Sequence, residues 1–215
     1  MVIPREAGRI TYSADIRAMK RIPLDEYQKA VVVGLILGDA YLEANWSKTN
    51  YRLGVRHSKD QEEYVEWTYE VLKSLVLTPP QYYDPTRSVW FRTISHAGLS
   101  ELYQIFYPEG KKIIPETIAL HLSNPVTIAV WFMDDGNVQR RQGKVSGYNL
   151  NTQSFSEKEN LLLAEAMQKV YGIRCTIERN HKYYRLGIYT KDSRIVFANL
   201  IREHLLPSMR YKLAE

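Results

Sequence analysis

A single cysteine, Cys175, stands in 215 residues, and that scarcity excludes an internal disulfide framework and any zinc site built on CxxC pairs. Its setting, Gly172-Ile173-Arg174-Cys175-Thr176-Ile177, predicts a buried small hydrophobe. A reducing intracellular home, bacterial cytoplasm or organelle matrix, is the expectation. Long apolar runs are missing too. The longest, Ala30 to Gly38, is about half of the roughly 18 residues a membrane span needs, so a soluble chain with no membrane partner is expected. The segment 1–24 carries Arg5, Arg9, Arg17, Lys20 and Arg21 against Glu6 and Asp15, without an apolar stretch or a cleavage signature after them. It reads as a basic arm, with a transit peptide as the weaker alternative. What is present is a core's worth of apolar side chains, 45% of the chain, which excludes disorder. The 29 Lys and Arg outnumber 24 Asp and Glu, and the net charge of +5 leans toward a polyanionic partner.

Two stretches of the chain share one pattern. Val32-Val33-Gly34-Leu35-Ile36-Leu37-Gly38-Asp39-Ala40 and Ile128-Ala129-Val130-Trp131-Phe132-Met133-Asp134-Asp135-Gly136 are apolar runs closed by an acid, nearly half the chain apart. The segments downstream of the two acids correspond as well. A strand-like Tyr51 to Arg56 matches Tyr148 to Gln153; Ser58 with Gln61 matches Ser156 with Glu159, both capping-box signatures. The helices they open are predicted over 62–76 and 160–171, the second stopped by Gly172. Strands at 90–94 and 184–188, with hairpin partners at 81–83 and 176–178, then precede helical stretches at 99–106 and 194–204 and a lysine, Lys112 or Lys212. The economical organisation is an arm over 1–24 and two copies of one αββαββα unit, 25–123 and 124–215. Asn124 is placed to cap the second motif helix, with Pro125 at its first position.

Gly34 and Gly38, four apart, share one helix face at about 1 kcal/mol each in lost helix propensity. A bare backbone face suits close approach of a second helix, and the repeat supplies one. Crossing at a pseudo-twofold axis would bring Asp39 and Asp135 together at two helix C-termini, where their charges repel unless a cation intervenes. Oxygen ligands alone favour a hard, Mg²⁺-like ion over zinc.

These runs resemble the paired motifs of the LAGLIDADG homing endonucleases, in the monomeric two-motif branch that includes the mitochondrial omega-intron endonuclease. Leu35 to Tyr41, Trp131 to Gly136, Leu150 to Phe155 and Met209 to Leu213 carry the likeness, which runs from about Tyr27 to Leu213. The resemblance implies an α+β fold of two pseudo-twofold αββαββα repeats, whose antiparallel sheets form a DNA-binding saddle. It implies metal-dependent cleavage of both strands at a long recognition site, leaving 3′ overhangs. By matched position, the resemblance implies Asp39 and Asp135 as the metal-binding, catalytic acids, and Lys112 and Lys212 as the catalytic basic residues near them, which stabilise charge on the phosphate or orient the attacking water. Mg²⁺ is the implied cofactor, Mn²⁺ an alternative, and Ca²⁺ an ion that binds without supporting cleavage. One departure is Val130, where the motif usually has a small residue, so helix packing there is expected to be less intimate or offset. Asp134 is taken as flanking.

Alternation along the strands puts Arg52, Gly54 and Arg56 on one face and Leu53, Val55 and His57 on the other, which backs onto helices. Arg56 and Gln153 in matching places, and Arg92 and Arg185 in the second hairpins, suit base edges in the major groove. Lys48, Arg87, Arg140, Arg141, Lys144, Lys182 and Lys191 are expected on loops or strand edges, reaching phosphates. The expected protein is therefore a monomeric, Mg²⁺-dependent, site-specific endonuclease of double-stranded DNA. The rival is a non-cleaving intron RNA maturase or DNA-binding regulator on the same scaffold.

Overall fold

The structure is a computed structural model that describes residues 13–46 and 49–213. The described chain divides into two compact units. The first takes residues up to Lys29 together with Ala40–Gln104; the second takes Ala30–Asp39 and the chain from Ile105 onward.

In the first unit, Ser13 caps the short helix α1 (Ala14–Met19) by accepting from the Ile16 N–H. Ile16 then packs with Leu75 and Ile94, flanked by Met19 and Leu24. From Ser13 onward the basic arm is thus docked, while Arg5 and Arg9 lie outside the described residues. Helix α2 (Glu26–Leu37) starts on a reciprocal cap: Asp25 Oδ1 accepts from Gln28 N (2.7 Å), and Gln28 Oε1 from Asp25 N (3.3 Å). Strands β1 (Tyr41–Ala44) and β2 (Tyr51–Ser58) come next, then helix α3 (Glu62–Leu72). After β3 (Gln81–Tyr83) and β4 (Ser88–Arg92), helix α4 (Ala97–Phe106) leads out of the unit. The sheet is antiparallel in the order β1-β2-β4-β3. Leu53, Val55, Val89 and Phe91 are buried on one face, where Tyr64, Val65, Thr68 and Leu72 of α3 are also buried. The other face carries Arg52, Arg56 and Arg92, as alternation requires.

The second unit repeats this order. After a single turn α5 (Ile118–His121) come α6 (Pro125–Asp135), β5 (Gly136–Arg141) and β6 (Lys144–Leu150). Helix α7 (Glu157–Tyr171), β7 (Thr176–Asn180), β8 (Tyr183–Ile188) and α8 (Lys191–Ile201) complete it, before a terminal 3₁₀ segment, Pro207–Leu213. Its sheet order, β5-β6-β8-β7, matches that of the first unit. Asn124 caps α6 through the Val126 N–H and Pro125 occupies its first turn, as expected. Cys175 is half-buried rather than fully buried as expected, and burial pushes its thiol up to about 12.

Three sequence expectations need correction. Ser156 and Glu159 form the anticipated capping box, but Ser58 makes no side-chain cap: a 3₁₀ turn, Lys59–Gln61, intervenes before α3. The strand expected over 148–153 runs instead over Lys144–Leu150, so Gln153 lies in the turn beyond it. The strand expected at 90–94 is Ser88–Arg92, because the chain must pair Ser88 with Ser58 at one end and Arg92 with Gly54 at the other.

Candidate active site at the ends of two buried helices

Residues Ala30–Leu37 of α2 and Val126–Met133 of α6 are buried all round, which is why both sequences are apolar on every face. The two segments belong to the second unit, and their contact is set by glycine. A Cβ on Gly34 would stand 2.6 Å from Val130 Cβ and 2.8 Å from the Thr127 carbonyl oxygen; one on Gly38 would stand 2.3 Å from Asp134 Oδ2. Val130 therefore does not loosen the packing, contrary to expectation: it fills the notch that Gly34 leaves, and Asp134 fills the notch at Gly38. Thr127 Oγ1 donates to the Ala30 carbonyl (3.1 Å), tying the helices at their other end.

Asp39 comes one residue beyond the end of the first helix, after Gly38, and Asp135 ends the second, and their charges act on each other. Burial, and then the Asp39 carboxylate, push the Asp135 carboxyl up to about 7, against the lowering pull of Lys112 and Lys212. Lys112 Nζ donates to the Gly38 carbonyl (3.0 Å). Lys212 Nζ donates to the carbonyls of Met133 and Asp134, the latter at 3.2 Å. Each lysine so supplies a cation to the carbonyl end of its own repeat's motif helix, where the helix dipole is negative. Burial lowers the pKa of both ammonium groups, and Asp39, Asp134 and Asp135 oppose that fall. Lys111, the neighbour that sequence alone leaves indistinguishable from Lys112, acts instead on Glu159.

Two residues that sequence reasoning passed over help to build this cluster. Asp134 is more than a flanking acid: its Oδ2 accepts from the Asp39 N–H (3.1 Å), and the Asp39 and Asp134 carboxylate oxygens lie within 4.8 Å. Glu159 holds the lysine-bearing loop. It accepts from Ser156 N (2.8 Å) and Ser156 Oγ (2.5 Å), and its Oε1 accepts from Ile114 N (3.0 Å), two residues beyond Lys112. Burial raises its pKa, but these hydrogen bonds and Lys111 outweigh that and bring it below the ordinary value. Three carboxylates and two ammonium groups leave the cluster one net negative charge when all are ionised. A cluster rich in carboxylate oxygens with a net negative charge fits a hard divalent cation, which would take the place of the proton that Asp135 otherwise retains.

The expected DNA-contacting side chains are spread over both sheets. Arg52 and Arg56 are on β2, Arg92 on β4 and Arg185 on β8. Arg140 and Arg141 end β5 and Lys144 begins β6, with Arg140 Nη1 donating to the Gly143 carbonyl (3.2 Å) across the turn. Arg87 occupies a left-handed turn before β4 (φ 45°), and Lys182 sits between β7 and β8, 5.2 Å from the Tyr183 ring. Lys191 is not on a loop or strand edge; it opens α8. Lys48 lies outside the described residues.

Comparison with known proteins places this geometry. The LAGLIDADG DNA endonuclease family model matches residues 29–196. A probable intron-encoded endonuclease 1 of Wickerhamomyces canadensis is 28% identical over 199 residues, covering 88% of this chain and 85% of the relative. The cytochrome b mRNA maturase bI2 of Debaryomyces hansenii is 27% identical over 202 residues, 89% of this chain and 75% of that one. Among solved structures, the homing endonuclease I-WcaI bound to its DNA recognition sequence superposes with a TM-score of 0.83 at 27% identity, covering 94% of this chain and 92% of its own. The first motif helix from Lys29 onward, the whole of the second and both terminal aspartates fall inside the matched span, and the chain belongs to the LAGLIDADG DNA endonuclease family.

Proposed function

We propose that the chain is a monomeric, site-specific DNA endonuclease that makes a metal-dependent double-strand break with 3′ overhangs. The observation that carries this reading is the cluster of Asp39, Asp135, Lys112 and Lys212 at the carbonyl ends of two glycine-matched helices. Asp39 and Asp135 would hold the metal, Mg²⁺ or Mn²⁺, with Ca²⁺ binding but not supporting cleavage. When bound, such an ion activates water and neutralises charge on a phosphodiester. Lys112 and Lys212, one per repeat, stabilise the negative charge that develops on the scissile phosphate. The repeats divide as 25–123 and 124–215, and duplication of acid and lysine suits one cut per strand. The strand arginines Arg52, Arg56, Arg92 and Arg185, with Gln153 in its turn, read bases; Lys48, Arg87, Arg140, Arg141, Lys144, Lys182 and Lys191 reach phosphates. Among the described residues no helix is long and apolar enough to cross a membrane, and a reducing organelle matrix or bacterial cytoplasm is the proposed setting.

A plasmid pool with randomised inserts, incubated with protein and Mg²⁺, tests this. Linear product from wild type, and none from Asp39→Asn or Asp135→Asn, is expected; DNA binding without cleavage under Mg²⁺ or Mn²⁺ refutes it. The maturase similarity over 89% of the chain favours one second reading, intron RNA splicing. Rescue of host-intron splicing by a protein that never cuts DNA would select it.

A further inference from the structure

The exposed faces of the two sheets do not carry the same chemistry. On the first, the register sets Glu43 opposite Arg52, Arg56 opposite Trp90, and Arg92 opposite Gly54. Arg52 Nε bonds Glu43 Oε1 at 2.7 Å, and Arg92 Nη1 stands 3.7 Å from the same oxygen. The Trp90 ring lies 5.5 Å from the Arg92 guanidinium carbon and 6.0 Å from that of Arg56, which is also 5.7 Å from the Tyr83 ring. One carboxylate and one indole so hold three guanidinium groups. Pairing at Nε leaves Arg52 both terminal nitrogens for a second partner, and a ring face consumes no donor of Arg56 or Arg92. A pair of parallel N–H donors is what guanine O6 and N7 accept.

The second sheet has a matching pair, Arg185 Nε on Glu178 Oε2 at 2.7 Å, but one arginine only at its centre. The Asn149 amide, oriented to satisfy its neighbours, takes Arg185 Nη1 at 3.3 Å and Gln139 Nε2 at 2.8 Å. Arg185 thus has two of its nitrogens, Nε and Nη1, engaged by the protein, where Arg52 has Nε alone.

We propose that the first unit's sheet is a preorganised guanine-reading surface, with Glu43 as its positioning residue, so that G·C preference concentrates in one half of the recognition site. This rests on the reading of the protein as site-specific for DNA. Bound and cleaved members of a randomised library are sequenced for wild type, Glu43→Gln and Trp90→Leu, with thermal melting to confirm folding. The expected wild-type profile fixes at least two G·C pairs in one half. Glu43→Gln relaxes the Arg52 and Arg92 positions about tenfold or more, the scale of one bidentate contact, and leaves the other half unchanged; Trp90→Leu relaxes those of Arg56 and Arg92. An even distribution of G·C preference, or a uniform loss across all positions in Glu43→Gln, overturns the proposal. Binding without cleavage refutes the nuclease reading alone, because the bound profile still decides this one; no DNA binding defeats both.

Discussion

Gly34→Ala sets helix propensity against packing at one atom. On propensity alone, alanine in the helix interior should stabilise by about 1 kcal/mol. At this position the new Cβ would meet Val130 Cβ at 2.6 Å, the Thr127 carbonyl oxygen at 2.8 Å and Val130 Cγ1 at 2.9 Å. Val130 Cγ1 can rotate away; Val130 Cβ and the Thr127 carbonyl are fixed by their helix backbone, so the helices must part. Overpacking of this kind costs roughly 1–3 kcal/mol. Separation also stretches the Thr127 to Ala30 hydrogen bond, worth about 1 kcal/mol. The balance is a net destabilisation of about 1–3 kcal/mol. At about 2–4 °C per kcal/mol for a chain of this size, thermal unfolding should fall by several degrees. Plasmid linearisation should fall further than stability does, because the acids stand at the ends of the displaced helices. Val130→Gly in the same background removes the closest clash and should return part of both losses. A melting temperature that rises with Gly34→Ala, as propensity alone would have it, refutes the argument.

Gly38→Ala drives a carbon onto Asp134 Oδ2 and Cβ, 2.3 and 2.5 Å away, so it should lose cleavage about as Asp134→Ala does, whereas Asp134→Asn, which keeps an acceptor for the Asp39 N–H, should retain most of it in a nicking assay. Glu159→Ala removes half a capping box, about 0.5–2 kcal/mol by chemical denaturation, and also lowers kcat, because the chain beyond Lys112 loses its anchor at Ile114. The Asp135 carboxyl sits near 7 in the fold against an ordinary 3.8, so the folded state keeps a proton that the unfolded chain surrenders between those values. That contribution to stability is largest at low pH and declines as pH rises through the window; Asp135→Asn should flatten the decline in urea titrations across pH. In the same range metal affinity, followed by calorimetry, should fall with acidity, since the ion must displace that proton. Lys212→Met removes a charge that lowers the Asp135 pKa, and should move the pH dependence of metal binding upward; an unchanged profile would refute the coupling.

The acids were legible in the sequence because each closes an apolar run, and repetition separates such an acid from an ordinary helix end. The fold was legible from the same duplication. Asp134 was not, since its role depends on Gly38 in another helix, where a missing side chain makes room for its carboxylate. Glu43 escaped for a similar reason: its partner, Arg52, is set by the register of β1 on β2, which no spacing reveals. Ser58 misleads because the serine of its S-x-x-Q pattern is still paired in β2, where it faces Ser88. Val130 misleads when the motif is judged one helix at a time, while packing answers to both.

The notches all lie on one helix and the side chains that fill them on the other. Two copies of the first helix, crossed in the same way, would set Gly34 against Gly34 and leave a gap. Two copies of the second would force valine onto valine and aspartate onto aspartate. Each helix is therefore shaped for its counterpart and ill-suited to its own twin, and one polypeptide keeps the unlike pair at hand for each other.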